Sequence, residues 1–231
     1  MTRRTLLGAG LAIIALVVSG CGDDDGAAIG GTVPLFGGTV PAGGPAIDLT
    51  PSPSGGDGGR DVVVIGDSIT VAAEPEIMAG AAGIDADVNV LAEVGRRIAS
   101  GPDPSPGTEV LRDVLADGQP DLVVVALGTN DIGKYSTVEE YAAQVEELVD
   151  LLPEDQPLVW INTYLSRSPD DSAAFNAALL ETLSDRGTAT IGRWSTIAQR
   201  HGMLRDGVHP SEVGNQEFAD LVIDEIDNWL G

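Results

Sequence analysis

Ser68, His209 and Asp206 have the residue types and spacing for nucleophilic acyl chemistry. Ser68 closes the run Gly66-Asp67-Ser68, directly after the apolar stretch Val62-Val63-Val64-Ile65. A serine hydroxyl is a poor nucleophile until a base takes its proton. Where a buried strand turns into a helix, the serine's own N–H faces the reaction centre, and the helix dipole favours negative charge developing there. The same position also suits a plain helix N-cap, so the reading depends on finding a base. The chain has two histidines, His201 and His209. His209 lies in Asp206-Gly207-Val208-His209-Pro210. Asp206 is three residues upstream, with Gly207 permitting a turn, so its carboxylate can hold one imidazole nitrogen and leave the other for Ser68. Pro210 biases His209 towards extended backbone on a loop. The competing reading of this pair is an exposed loop histidine capped by a local aspartate. His201, in Gln199-Arg200-His201-Gly202, has no such partner and reads as a surface or helix-end residue.

A nucleophile also needs donors for the oxyanion it creates. Gly128-Thr129-Asn130-Asp131 follows a third apolar run, where Asn130 offers two side-chain N–H groups. Gly95, in Glu93-Val94-Gly95, offers a backbone N–H with no Cβ to obstruct a ligand. With the Ser68 N–H these make a three-donor oxyanion hole. Taken singly, Asn130 also suits an Asx turn and Gly95 a plain turn.

Gly66-Asp67-Ser68, Gly95, Gly128-Thr129-Asn130-Asp131 and Asp206-Gly207-Val208-His209-Pro210 occur in that order over residues 61–231. Together they resemble the four signature blocks of the SGNH (GDSL-type) hydrolases. The resemblance implies a three-layer α/β/α flavodoxin-like fold, a Ser68–His209–Asp206 triad, and an oxyanion hole made by Ser68, Gly95 and Asn130. The second block departs from the family pattern: its glycine is followed by Arg96-Arg97 rather than by small residues. That pair reads as a solvated turn. Glu93-Val94-Gly95-Arg96, Ile191-Gly192-Arg193-Trp194 and Asp206-Gly207-Val208-His209 also resemble, more weakly, the extracytoplasmic domains of peptidoglycan O-acetyltransferases. Trp194 reads better as core packing.

These residues need a scaffold, and the pattern supplies one. Short apolar runs at 62–65, 86–91, 122–127 and 158–162, with a weaker one at 188–191, read as five strands. Val138, Tyr141, Val145, Leu148 and Leu152 recur at helical spacing, as do Phe175, Leu179 and Leu183, and then Phe218, Leu221, Val222, Ile226 and Trp229. Apolar strands alternating with amphipathic helices predict an α/β domain with a mostly parallel five-stranded sheet covered on both faces. Ligand sites in such sheets lie at the carboxyl ends of the strands, where Ser68, Gly95 and Asn130 all fall.

The remainder of the chain bears on location. Arg3 and Arg4 precede an apolar run from Leu6 to Val18, the pattern of an export signal over residues 1–20. Thr2-Arg3-Arg4-Thr5-Leu6-Leu7 loosely resembles a twin-arginine signal. Val18-Ser19-Gly20-Cys21 resembles a bacterial lipoprotein cleavage box, which implies lipidation at Cys21. The alternative is an uncleaved anchor helix. Cys21 is the only cysteine, so no intramolecular disulfide forms. Residues 22–60 hold 12 glycines and 5 prolines among 39 residues. They are expected to form a tether of roughly 35 Å reach.

With 36 acidic and 12 basic residues, the formal net charge is −24. That excludes nucleic acid as a partner, because binding phosphates needs clustered Lys and Arg. No His, Cys or carboxylate spacing matches a zinc or calcium site, and no cofactor is expected. The combined expectation is a serine esterase on the outer face of the bacterial cell membrane, held by a lipid at Cys21. It would act on an acylated small molecule or a cell-wall glycan, with short acyl groups favoured. Two alternatives stand beside it: an O-acetyltransferase using the same triad on cell-wall glycan, and an inactive glycan-binding lipoprotein.

Overall fold

Val62, Val63, Val64 and Ile65 are all buried because their strand lies inside the sheet with a neighbour on each edge. In the computed structural model, which describes residues 59–231, this strand is β1 (Arg60–Gly66). The export signal over 1–20, Cys21 and the tether up to residue 58 lie outside the described residues. β1 opens at Arg60, paired with Ala86, so the sheet takes in a residue that the sequence reading assigned to the tether.

After β1 come α1 (Ser68–Ala81), β2 (Ala86–Ala92), α2 (Gly107–Asp117), β3 (Leu122–Ala126) and α3 (Val138–Val149). β4 (Leu158–Ile161), α4 (Pro169–Leu183), β5 (Ala189–Gly192), α5 (Trp194–Ala198) and α6 (Glu212–Leu230) complete the domain. The strand order is β2-β1-β3-β4-β5, and every pairing is parallel. The fold is therefore α/β, with the five strands expected.

Period-two alternation sends successive strand residues to opposite faces, and each face has its own core. Val63, Ile65, Val123 and Val125 pack with Leu111 of α2, Tyr141 and Val145 of α3, and Phe175 and Leu179 of α4. Val62, Val64, Val124 and Val159 pack with Ile69 and Ile77 of α1, Trp194 of α5, and Phe218, Val222 and Ile226 of α6. Trp194 is a core residue, stacked edge-on against Phe218. Removing a fully buried Phe or Trp side chain to Ala typically costs about 3–5 kcal/mol.

The chain runs outward from β1 to β2 and then crosses back to β3 on the other side of β1. Connections thus diverge between β1 and β3, and a crevice opens at their carboxyl ends. Gly66-Asp67-Ser68 leaves β1 there, and Gly128-Thr129-Asn130 leaves β3 beside it.

Candidate active site

Ser68 is the first residue of α1, but it does not cap that helix. Asp67 does: its Oδ1 accepts the Ile69 N–H at 2.9 Å. The junction is tight enough that a Cβ on Gly66 would stand 2.1 Å from Thr70 Oγ1. Only glycine lets the strand pass directly into this helix. The Ser68 hydroxyl is left for another partner, and Ser68 Oγ lies 3.1 Å from His209 Nε2.

His209 is presented by the loop before α6. Its Nδ1 lies 2.9 Å from Asp206 Oδ2. Asp206 Oδ1 accepts the backbone N–H of His209 at 2.8 Å and of Val208 at 3.0 Å. One carboxylate therefore both folds the loop and holds the ring. Gly207 makes this turn possible with φ +84°, in the left-handed region that favours glycine. The bond from His209 Nδ1, followed by those from the backbone, holds the Asp206 carboxyl well below the usual carboxylate range. With Asp206 ionised, the neutral ring carries its proton on Nδ1 and offers Nε2 to the Ser68 hydroxyl.

Asn130 reaches the same centre from β3. Its Nδ2 donates to Asp67 Oδ2 at 3.3 Å and to the Arg96 carbonyl at 3.0 Å. Both amide protons are engaged, and the Asp67 contact is the longer one. Gly95 stands differently. It takes φ +87° in the turn after β2, and it is not on the wall of the cavity that holds Ser68, Asn130 and His209. His201 is exposed and lies outside this wall as well.

The Arg96-Arg97 pair is not a solvated turn. Arg96 is buried, and its guanidinium donates to the carbonyls of Gly66, Leu91 and Ser105 and to the Glu93 carboxylate. It fills the space between the ends of β1 and β2, adding a second donor to the Gly66 carbonyl, which also accepts the Glu93 N–H at 3.1 Å. Arg97 Nε pairs with Asp131 Oδ1 at 3.2 Å, and its Nη2 donates to Tyr135 Oη. Asp131 also accepts the Ile98 N–H at 3.1 Å, so both arginines fix the second block against the first and third.

Two buried carboxyls adjoin the site. Burial pushes Asp67 up to about 7, against the pull of the Ile69 N–H and Thr129. Burial also pushes Asp131 up to about 6, against its bonds to Ile98 and Arg97. Strongly perturbed groups in a cleft mark functional sites more often than chance.

The cavity over Ser68 measures about 260 Å³, and its wall includes Thr129, Leu165, Arg167 and Val208 besides Ser68, Asn130, Asp206 and His209. Sequence reasoning missed Asp67, Arg96, Asp131 and Arg167. Asp67 and Asp131 stood inside the motifs already quoted. Arg167 follows β4 at the same sheet edge as the other site residues, a place that the strand-end rule marks.

Residues 64–217 match the GDSL-like lipase/acylhydrolase family. Among solved structures, the chain is similar to a lipase/acylhydrolase from Enterococcus faecalis, with TM-score 0.61 and 18% identity, over 73% of this chain and 96% of that one. It is similar to the C-terminal catalytic domain of Streptococcus pneumoniae peptidoglycan O-acetyltransferase A carrying a methylsulfonyl adduct, with TM-score 0.60 and 19% identity, over 74% and 95%. It is also similar to a psychrotrophic esterase from Pseudoalteromonas sp. inhibited by monoethylphosphonate, with TM-score 0.57 and 17% identity, over 74% and 98%. These likenesses are of fold. No curated protein matches the chain.

Proposed function

Because the chain belongs to the GDSL-like lipase/acylhydrolase family, we propose that it is an extracytoplasmic serine esterase that cleaves short O-acyl esters through an acyl-Ser68 intermediate. The observation that carries this reading is the relay from Ser68 Oγ to His209 Nε2 at 3.1 Å and from His209 Nδ1 to Asp206 at 2.9 Å. Ser68 Oγ attacks the ester carbonyl as its proton moves to Nε2. Asp206 stabilises the imidazolium that forms. The oxyanion is held by the Ser68 N–H at the start of α1 and by Asn130, whose Nδ2 shares a proton between the oxyanion and the long contact to Asp67 that keeps the amide in place. His209 then protonates the departing alcohol oxygen as the C–O bond breaks. A water molecule, deprotonated by His209, attacks the acyl-enzyme, and His209 passes that proton to Ser68 Oγ as the acyl–oxygen bond breaks and the acid leaves.

A cavity of about 260 Å³ is smaller than the pockets of roughly 300–1,000 Å³ that enclose drug-sized ligands, which favours short acyl groups. The sequence supports the location: an export signal, Cys21 as lipid anchor and a glycine- and proline-rich tether. A second reading replaces water by a sugar hydroxyl, making the protein an O-acetyltransferase on cell-wall glycan. It is favoured by the Gly95-Arg96 block, whose buried arginine departs from small-residue versions, and by the likeness in fold to an O-acetyltransferase domain.

The deciding experiment is hydrolysis of 4-nitrophenyl esters from acetate to octanoate, with and without added glycan oligomer. Rates should fall with chain length and drop by about 10⁴-fold or more in Ser68→Ala. Wild-type rates in Ser68→Ala would overturn the esterase reading. Acetyl groups appearing on the oligomer would establish the transferase.

A further inference from the structure

Arg167 is the one Lys or Arg side chain on the wall of the cavity over Ser68 and His209. It sits on the turn Leu165–Ser168, which follows β4 and leads into α4, and that turn is braced from two sides. On the α4 side, Leu165 N–H donates to Ser172 Oγ at 2.9 Å, and Ser172 Oγ donates to the Ser168 carbonyl at 2.8 Å. Ser168 N–H closes the turn onto the Leu165 carbonyl at 3.1 Å. On the other side, Ser166 N–H donates to the Gly207 carbonyl at 2.9 Å. That bond ties the turn to the loop carrying Asp206 and His209. The backbone beneath Arg167 is thereby fixed relative to the catalytic base.

The Arg167 side chain is exposed and forms no ion pair among the described residues. Nearby carboxylates do not account for it. Asp206 shares the cavity wall but is held by His209. Asp170 and Asp171 lie in the first turn of α4, and neither is within ion-pairing distance of the guanidinium. Lacking an ion pair is common here, as Arg112, Arg193 and Arg205 also form none; its place on the cavity wall is what distinguishes Arg167.

A neutral ester gains nothing from a guanidinium at this place. An anionic ester gains twice. The chain's charge of −24 repels anions at long range, so a local cation at the reaction centre decides whether one settles there. The planar guanidinium fork also matches a carboxylate or phosphate in geometry. We propose that Arg167 binds an anionic group, carboxylate or phosphate, carried by the substrate near its scissile ester, so that the enzyme selects anionic esters over neutral ones. This rests on the esterase reading above and adds the charge class of the substrate.

The test is a set of matched pairs hydrolysed by the full chain. 4-Nitrophenyl hemisuccinate is compared with 4-nitrophenyl butyrate for an anion on the acyl side. 3-Acetoxybenzoate and 3-acetoxyphenyl phosphate are compared with phenyl acetate for an anion on the alcohol side, which also separates carboxylate from phosphate. For at least one pair, the anionic-to-neutral ratio of kcat/KM should fall roughly tenfold in Arg167→Gln, a loss of about 1.4 kcal/mol. Arg167→Lys should recover part of it, and added salt should narrow the gap between the wild-type and Arg167→Gln ratios. A ratio equal in wild type and Arg167→Gln for every pair overturns the proposal while leaving the esterase intact. Loss of the esterase reading itself would show differently, as neutral-ester hydrolysis that survives Ser68→Ala.

Discussion

Asn130 Nδ2 lies 3.3 Å from Asp67 Oδ2, so the residue before the nucleophile holds the side chain that meets the oxyanion. Asp67 joins two jobs, since its other oxygen caps α1 at the Ile69 N–H. Exchanging Asp67 for Asn separates them. Asparagine caps helices as well as aspartate does, so α1 should keep its start. Ile69 and Asn130, however, bond to different Asp67 oxygens, and the new amide puts an oxygen at only one of the two places. We expect kcat for an aryl acetate to fall about tenfold to a hundredfold in Asp67→Asn, with KM changed little, in line with a weakened oxyanion donor. Steady-state kinetics with kcat within twofold of wild type would exclude this coupling.

The same carboxyl should set part of the pH dependence of stability. Its ordinary value of 3.8 is raised to about 7 in the folded chain, and Asp131 is raised to about 6. A raised carboxyl binds its proton more tightly when folded, so it favours folding at low pH and loses that contribution as pH climbs through the folded value. Stability should therefore decline between about pH 4 and 7. Asp206 works the other way: its depressed carboxyl favours folding above its ordinary value and loses that only as pH falls below about 4. Urea unfolding at pH 5 and pH 8 should give a smaller difference in Asp67→Asn than in wild type. Equal differences in the two proteins would remove Asp67 from the account.

Arg96 offers a structural prediction with a functional consequence. Its guanidinium satisfies the carbonyls of Gly66, Leu91 and Ser105, and its own carbonyl accepts from Asn130. Arg96→Met keeps the apolar stem but removes the guanidinium donors to all three, leaving the Gly66 carbonyl only its Glu93 N–H. The cost should be about 2–3 kcal/mol, or roughly 5–10 °C in Tm for a domain of this size. Because the second block also positions Asn130, kcat should fall further than the loss of folded protein explains. Calorimetry beside kinetics at a temperature where both proteins are folded checks this. An unchanged Tm would mean that water replaces the guanidinium without loss.

The sequence made the sheet legible because each strand is a short apolar run, and β1, β3 and β4 are buried on both faces. It also made the Ser68, Asp206 and His209 spacing legible, because that chemistry is partly local: the carboxylate sits three positions before the ring. It did not reveal α2, although Val110, Leu111, Val114 and Leu115 fall at helical spacing, or the five-residue α5. Nor did it reveal Arg96 as buried, since a charged residue after a turn glycine ordinarily faces water. Only the convergence of the ends of β1 and β2 with the loop at Ser105 creates the carbonyl-lined space that holds it. Arg167 was hidden for a related reason. It lies 42 residues from His209 in the chain, and one backbone bond from Ser166 to Gly207 brings the two together.

That bond makes Gly207 the position where the catalytic loop and the Arg167 turn can be pulled apart. Gly207 has φ +84°, and a Cβ there would stand 2.2 Å from Ser166 Oγ and 3.5 Å from Ser166 Cβ. Gly207→Ala therefore meets two separate costs. Backbone strain in the left-handed region amounts to about 1–2 kcal/mol for a residue with a Cβ. The clash with Ser166 Oγ comes on top, reduced by whatever rotation that hydroxyl allows. Ser166→Ala removes the hydroxyl and leaves the Cβ at an ordinary contact distance. The double variant should thus be more stable than the sum of the two single changes predicts, by the clash energy alone, while the backbone strain persists in both. Activity should follow geometry, since a displacement of about 1 Å at His209 can cost a hundredfold. Gly207→Ala should lose kcat strongly and the double variant should regain part of it. A thermodynamic cycle over the four proteins that closes with no coupling between positions 166 and 207 would show that the two loops do not bear on each other there.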